Sequence, residues 1–155
     1  MIKKIIALFI LFINISHCGF TPIYSKKTNV NFSISSIKFE GDRIINNFLE
    51  TNLKQYQNNN YDKKFNIVVI TGSGKTVLSK DKAAKTTSYQ LTLDAAFEIN
   101  SNNKTIKKFI ISEKKIMDNI NDDFQEQINE RTYKQNFASS ITNKLLTELS
   151  LLNDN

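Results

Sequence analysis

From Val30 onward apolar and polar positions alternate in two rhythms, one of two residues and one of three to four, and these rhythms lay out the elements. Val30, Phe32 and Ile34 alternate with Asn31, Ser33 and Ser35, slip phase at Ser35-Ser36, and resume with Ile37 and Phe39. That pattern predicts a half-buried strand with a bulge at the slip. Gly41-Asp42 then supplies a turn and a capping oxygen for a helix of about 15 residues starting at Arg43. Its apolar positions Ile44, Ile45, Phe48, Leu49, Leu53 and Tyr56 recur at threes and fours, so one face is buried, and Asn58-Asn59-Asn60 ends it. Residues 65–71 are apolar except for Asn66 and its terminal Thr71, which reads as an interior strand covered on both faces and stopped by Gly72 and Gly74. Residues 75–85 carry Lys75, Lys80, Lys82 and Lys85 against a single Asp81, and read as a connection or the frayed start of the next strand.

Residues 87–99 alternate strictly, with Thr87, Tyr89, Leu91, Leu93, Ala95, Phe97 and Ile99 on one face, and give the clearest strand, with one wet side. A turn at residues 100–104 leads into an antiparallel partner over residues 105–116 that contains Ile106, Phe109, Ile110 and Ile111. Asn121-Asp122-Asp123 offers a second N-cap, and acidic residues there suit the positive end of a helix dipole. The helix that follows runs to Leu152. Tyr133, Phe137, Ile141, Leu145 and Leu149 recur at fours, joined by Phe124, Ile128, Ala138 and Leu152, while Glu126, Arg131, Lys134, Asn143 and Lys144 fill the rest of its surface. The order strand, helix, three strands, helix predicts one α+β sandwich over residues 30–155, with two helices packed on one face of a roughly four-stranded, mostly antiparallel sheet.

The first 29 residues follow neither rhythm. Met1-Ile2-Lys3-Lys4 precedes an apolar stretch from Ile5 to Ile15 broken only by Asn14, then Ser16, His17 and Cys18. A positive start and an apolar stretch well short of the roughly 20 residues needed to span a bilayer make a signal-peptide layout over residues 1–17. Cys18 followed by Gly19 resembles the bacterial lipobox, in which the Cys takes a diacylglycerol before cleavage. Ile15 and Ser16 match that motif, whereas His17 stands where a small residue is usual. Residues 18–29 then form the lipidated Cys and a tether, containing the chain's only proline, Pro22. Gly19 after the Cys is what enteric sorting rules expect of a lipoprotein passed to the outer membrane.

Composition narrows the chemistry. Of 155 residues, 40% are hydrophobic and 23% charged, near globular averages, and the formal net charge is +6. His17 and Cys18 are the only His and the only Cys, so a chain that matures at Cys18 keeps no His and no free thiol. His/Cys metal sites, Ser-His-Asp triads and Cys-His dyads each lose a member, and no cofactor or metal is expected. Gly72-Ser73-Gly74-Lys75-Thr76 resembles the end of a phosphate-binding loop, but Val69 occupies the position where its first glycine belongs. Asp122 and Asp123 read as a helix cap rather than an acid-base pair. No enzyme emerges. Nucleic acid is disfavoured by the absence of Trp and of any interleaved aromatic and basic stripe. Anionic lipid phosphates of the envelope suit the basic window better, although lysines also serve simply to solvate a surface.

Cys18-Gly19-Phe20-Thr21-Pro22-Ile23-Tyr24, residues 37–53 with Gly41-Asp42-Arg43, residues 89–99 and the last helix together resemble the LPS-assembly lipoprotein LptE family of alphaproteobacterial type. Ile23 stands where that family usually has Leu. The resemblance implies a non-enzymatic α+β lipoprotein of the outer membrane, anchored by its N-terminal lipid. It would sit in the lumen of the LPS-exporting barrel LptD, assist its assembly and contact lipopolysaccharide. A basic residue before the long third strand is implicated in that contact, which points to Lys80, Lys82 and Lys85. Tether and small α+β domain also suit a different class, a lipid-anchored periplasmic regulator of a cell-wall synthesis enzyme.

Overall fold

A side-chain oxygen and a glycine set the first corner of the fold. The computed structural model describes residues 30–57, 60–102, 104–120 and 122–153. The expected signal segment, Cys18 and tether lie outside the described residues. Strand β1 (Ser33–Gly41) ends at Gly41, whose φ of +96° is open to glycine, and a Cβ there would stand 1.8 Å from the Thr71 carbonyl oxygen. Asp42 follows, and its Oδ1 accepts from the backbone N–H groups of Ile44 (2.9 Å) and Ile45 (3.0 Å), which starts helix α1 (Arg43–Leu53). One 3-10 turn (Lys54–Tyr56) completes the predicted helix.

Three long strands follow: β2 (Lys64–Lys80), β3 (Thr86–Ser101) and β4 (Lys104–Asp118). They lie in sequence order in one sheet, β1 parallel to β2 and the other pairs antiparallel. The register of β1 shifts between Ile34 and Ser36, the bulge that the phase slip predicts. Helix α2 (Asp123–Asn153) closes the chain. Asp122 accepts from the N–H groups of Phe124 and Gln125, and the Lys63 ammonium meets the carbonyls of Leu152 and Asn153 at its far end, where the helix dipole favours a cation. Both helices cover one face of the sheet. Ile45, Leu49 and Leu53 of α1 and Phe137, Ile141, Leu145 and Leu149 of α2 are fully buried, against Phe65, Ile67 and Val69 of β2 and the inward row of β3. The predicted α+β architecture is the observed one.

Four sequence expectations are corrected. Gly72 and Gly74 do not stop β2: pairing continues from Gly72↔Asp94 to Lys80↔Thr86, because β3 is long enough to offer a partner to the glycine- and lysine-rich half. Residues 75–80 are therefore strand, and only the turn after Lys80 connects. That also removes the phosphate-loop geometry, since no helix begins after Lys75. Next, β2 is covered on one face only, and Ile70 on the other is 51% exposed. Phe124 and Ile128, expected in the core, are 71% and 40% exposed. Finally, Lys134, expected on the surface, is buried.

Candidate functional site

Between the last residues of β2 and the first of β3 the chain is bare: every residue from 73 to 85 is exposed. The two strands hold together there through backbone pairing and through the Ser79 hydroxyl, 2.6 Å from both Thr87 Oγ1 and Ser88 Oγ. Asp81 builds the turn. Its Oδ1 accepts from the N–H groups of Ala83 and Lys85, both at 2.9 Å, its own N–H donates to the Lys85 carbonyl, and Ala84 takes a positive φ of 61°. Lys80, Lys82 and Lys85, the three residues expected to contact LPS, are thus carried on one hairpin tip by a turn of defined shape. Asp81, the acidic residue among them, spends its carboxylate on that turn.

The fourth lysine of the window behaves differently. Lys75 pairs with Glu126 (3.0 Å) and with Glu130, and its ammonium lies 4.6 Å from the centre of the Tyr89 ring. Burial works against its charge, yet the hydrogen bonds and charges of the two carboxylates outweigh it and raise its pKa. Tyr89 Oη donates to Glu130 at 2.9 Å, and burial together with Glu130 pushes its phenol well above the ordinary value, so it stays a donor. Lys75 therefore ties the hairpin to α2, and no carboxylate among the described residues comes within ion-pair reach of Lys80 or Lys82 beyond it. Exposed Val77 and Leu78 lie just behind the lysines. Ammonium groups with apolar side chains at their base suit a phosphate-bearing amphiphile.

The uncovered face of the sheet is the second surface open to a partner. Ile70, Ala96 and Ile110 stand side by side across β2, β3 and β4, with Val68 beside them, and line a hollow of about 260 Å³. Two of its lysines are paired within the chain, Lys38 with Glu40 at 2.8 Å and Lys108 with Glu98 at 2.7 Å; the Ser112 hydroxyl donates to Asp94, and Lys114, opposite Thr92, adds an exposed cation further along β4. Next to the apolar row come Gly72 and Gly74, where an added Cβ would meet nothing within 4 Å.

The sandwich of two helices on a four-stranded sheet has counterparts among solved structures. Rare lipoprotein B from Shewanella oneidensis superposes with a TM-score of 0.59 at 10% identity, covering 77% of this chain and 99% of that one. The chain shares that fold. Lipoprotein B from Nitrosomonas europaea (TM-score 0.56, 12% identity, 83% of this chain and 90% of that) and a minor lipoprotein from Acinetobacter baumannii (0.53, 16%, 74% and 92%) are similar to it in the same way. No family model and no curated protein sequence matches the chain.

Within this lipoprotein-B fold, one polar cluster escaped the sequence reading. Lys134 of α2 meets Asp42 Oδ2 at 2.5 Å and the Ser73 hydroxyl at 3.2 Å, while Ser73 itself donates to Asp42 at 2.6 Å. Both ionic side chains are 11% exposed. Burial opposes ionisation of Asp42, but the hydrogen bonds from Lys134, Ser73 and the Ile45 N–H, together with the charge of Lys134, hold its carboxyl below the ordinary value. The cluster joins α1, α2 and β2. A signal for Lys134 was present: positions 134, 138, 141 and 145 form one helical stripe whose other members are all apolar. Among the described residues no three His, Cys, Asp or Glu side chains converge as metal ligands, and no helix is long and apolar enough to cross a membrane.

Proposed function

We propose that the chain is an outer-membrane lipoprotein of LptE type, held by acyl chains on Cys18, seated in the lumen of the LPS-exporting barrel LptD, where it supports barrel assembly. The observation that carries this reading is the fold shared with three bacterial lipoproteins over nine-tenths or more of their length. Two features of this chain agree with it. A sheet with one face left uncovered has room for a wall of another protein, and the missing Cβ atoms of Gly72 and Gly74 allow close approach. Lys80, Lys82 and Lys85 would meet LPS phosphates at the hairpin tip as cations, with Val77 and Leu78 toward the acyl chains. Metal, cofactor and nucleic acid have no part in this mechanism.

The test is affinity purification of the full-length chain from detergent-solubilised envelopes of the cells that make it. Recovery of a large heat-modifiable outer-membrane barrel in stoichiometric amount is expected. Recovery of a peptidoglycan synthase with no barrel would overturn the proposal in favour of a cell-wall regulator.

A further inference from the structure

A groove of about 280 Å³ opens between the start of α1 and the first turns of α2. Ile44 of α1 and Phe124, Ile128 and Arg131 of α2 line it, together with Gln127, Glu130 and Lys134. The three apolar residues are the exposed ones that a packed domain normally hides, and Phe124 is the most exposed at 71%. Phe124, Ile128 and Arg131 follow one another at four and three residues along α2, so the groove presents an apolar stretch ending in a cation about 10 Å further along.

The charges around it leave one without a counterpart. Glu130 is taken by Lys75 and Tyr89, and Lys134 by Asp42. The guanidinium of Arg131 lies 5.7 Å over the ring of Phe48, and no carboxylate among the described residues reaches it. The residue type carries information of its own. Of 21 basic residues in the sequence only Arg43 and Arg131 are arginine; Arg131 lines this groove, and Arg43 directly precedes Ile44 in its other wall. In a chain that otherwise uses lysine, a guanidinium kept at this place fits a role that needs its flat two-pronged geometry, as pairing with a carboxylate does. The volume sits at the low edge of small-ligand pockets, with room for a few side chains rather than for an acylated glycan.

We infer that this groove docks an acidic, aliphatic segment of a protein partner. One apolar side chain of that segment seats between Ile44, Phe124 and Ile128, and a carboxylate about three extended residues away pairs with Arg131. This goes beyond the proposed function, because the hairpin lysines and the uncovered sheet face take no part in it.

The experiment places the photo-crosslinking residue p-benzoylphenylalanine at position 124 of the full-length chain in living cells, with the adduct mapped by peptide mass spectrometry. The expected product is a single protein adduct on a segment carrying Asp or Glu within about three residues of the crosslinked position. Arg131→Glu should lower its yield about fivefold or more, and Arg131→Lys should give an intermediate yield. A synthetic peptide of the mapped segment should then bind the purified chain, and its amide version should bind more weakly. The inference is overturned if the adducts carry lipid or LPS mass, if the mapped segment has no acidic residue, or if Arg131→Glu leaves the yield unchanged. It is equally overturned if position 124 gives no more adduct than the same probe at exposed Asn143, a position of α2 outside the groove.

Discussion

The buried pair of Lys134 and Asp42 makes a quantitative demand on stability. Asp42→Asn is the cleanest perturbation, because Asn caps a helix as well as Asp does and the bonds to Ile44 and Ile45 can persist. What disappears is the negative charge facing an ammonium whose side chain is 11% exposed. Removing one partner of a buried pair costs about 3–5 kcal/mol; with both side chains still touching water the lower end applies, about 3 kcal/mol, or a fall in Tm of roughly 10–15 °C. Lys134→Met should cost less, about 1–2 kcal/mol, because Asp42 keeps Ser73 and two backbone donors. The double variant should cost about 2–3 kcal/mol instead of the roughly 4–5 of additive losses, so the coupling between the sites should be about 2 kcal/mol. Urea unfolding of a soluble chain beginning at residue 19 measures all four corners of this cycle. The pH dependence has a fixed sign: a carboxyl held below its ordinary value contributes stability above about pH 4 and loses it as pH falls further. The gap between wild type and Asp42→Asn should therefore narrow below pH 4. Additive single losses, or an Asp42→Asn cost under about 1 kcal/mol, would refute a role for the pair in joining the helices to β2.

Cys18→Ser should abolish acyl-chain labelling and leave the domain folded, since the lipid and not the core would hold it at the membrane; wild-type labelling would remove the lipobox reading. Leu145→Asp places a charge at a fully buried position between α2 and the sheet and should unfold the domain or cost several kcal/mol, read by thermal melting. Reversing Lys80, Lys82 and Lys85 to Glu should change stability by no more than about 0.5 kcal/mol each while LPS binding falls, and wild-type binding should weaken with salt. Binding that survives both the substitutions and high salt would take LPS contact away from the hairpin. Gly72→Ala with Gly74→Ala should raise the melting temperature of the isolated domain, and barrel assembly in cells should nonetheless suffer; normal assembly would mean that nothing approaches that strip closely.

Where the chain alternates against one covered face, the sequence is sufficient to place the element. The β1 bulge, both Asp N-caps, β3 and the inward stripe Phe137, Ile141, Leu145 and Leu149 are all legible because each depends on residues a few positions apart. What fails depends on distance. The second half of β2 looks like loop by composition, and it is strand only because β3 extends beside it. Lys134 looks like solvent-facing charge until Asp42, 92 residues away, is brought against it. Phe124 and Ile128 carry the apolar period of the helix, yet α1 is short, and burial stops where its cover stops. The hairpin lysines were found as a cluster, but that Lys75 belongs to α2 and not to that cluster needs the tertiary pairs with Glu126 and Glu130.

Gly72 and Gly74 bear on function through what they fail to do for the fold. A glycine inside a strand costs roughly 0.5–1 kcal/mol relative to alanine, chiefly through entropy lost on folding. Gly41 repays this, since its positive φ and the Thr71 carbonyl admit no other residue without strain. Gly72 and Gly74 have no such reason. Neither has a positive φ, and a Cβ on either would enter open space on the uncovered side of the sheet. In the proposed function these two positions would let a surface outside the chain come nearer to the backbone than a Cβ would permit. The neighbouring row of Ile70, Ala96 and Ile110 is apolar, and the lysines flanking it, Lys38 and Lys108, are paired with Glu40 and Glu98. In the proposed function a barrel wall would pack on that apolar row, while a phosphate-bearing ligand would meet the hairpin lysines. The uncovered sheet face and the lysine tip therefore suit two different ligands, and substitutions confined to one should leave binding at the other intact.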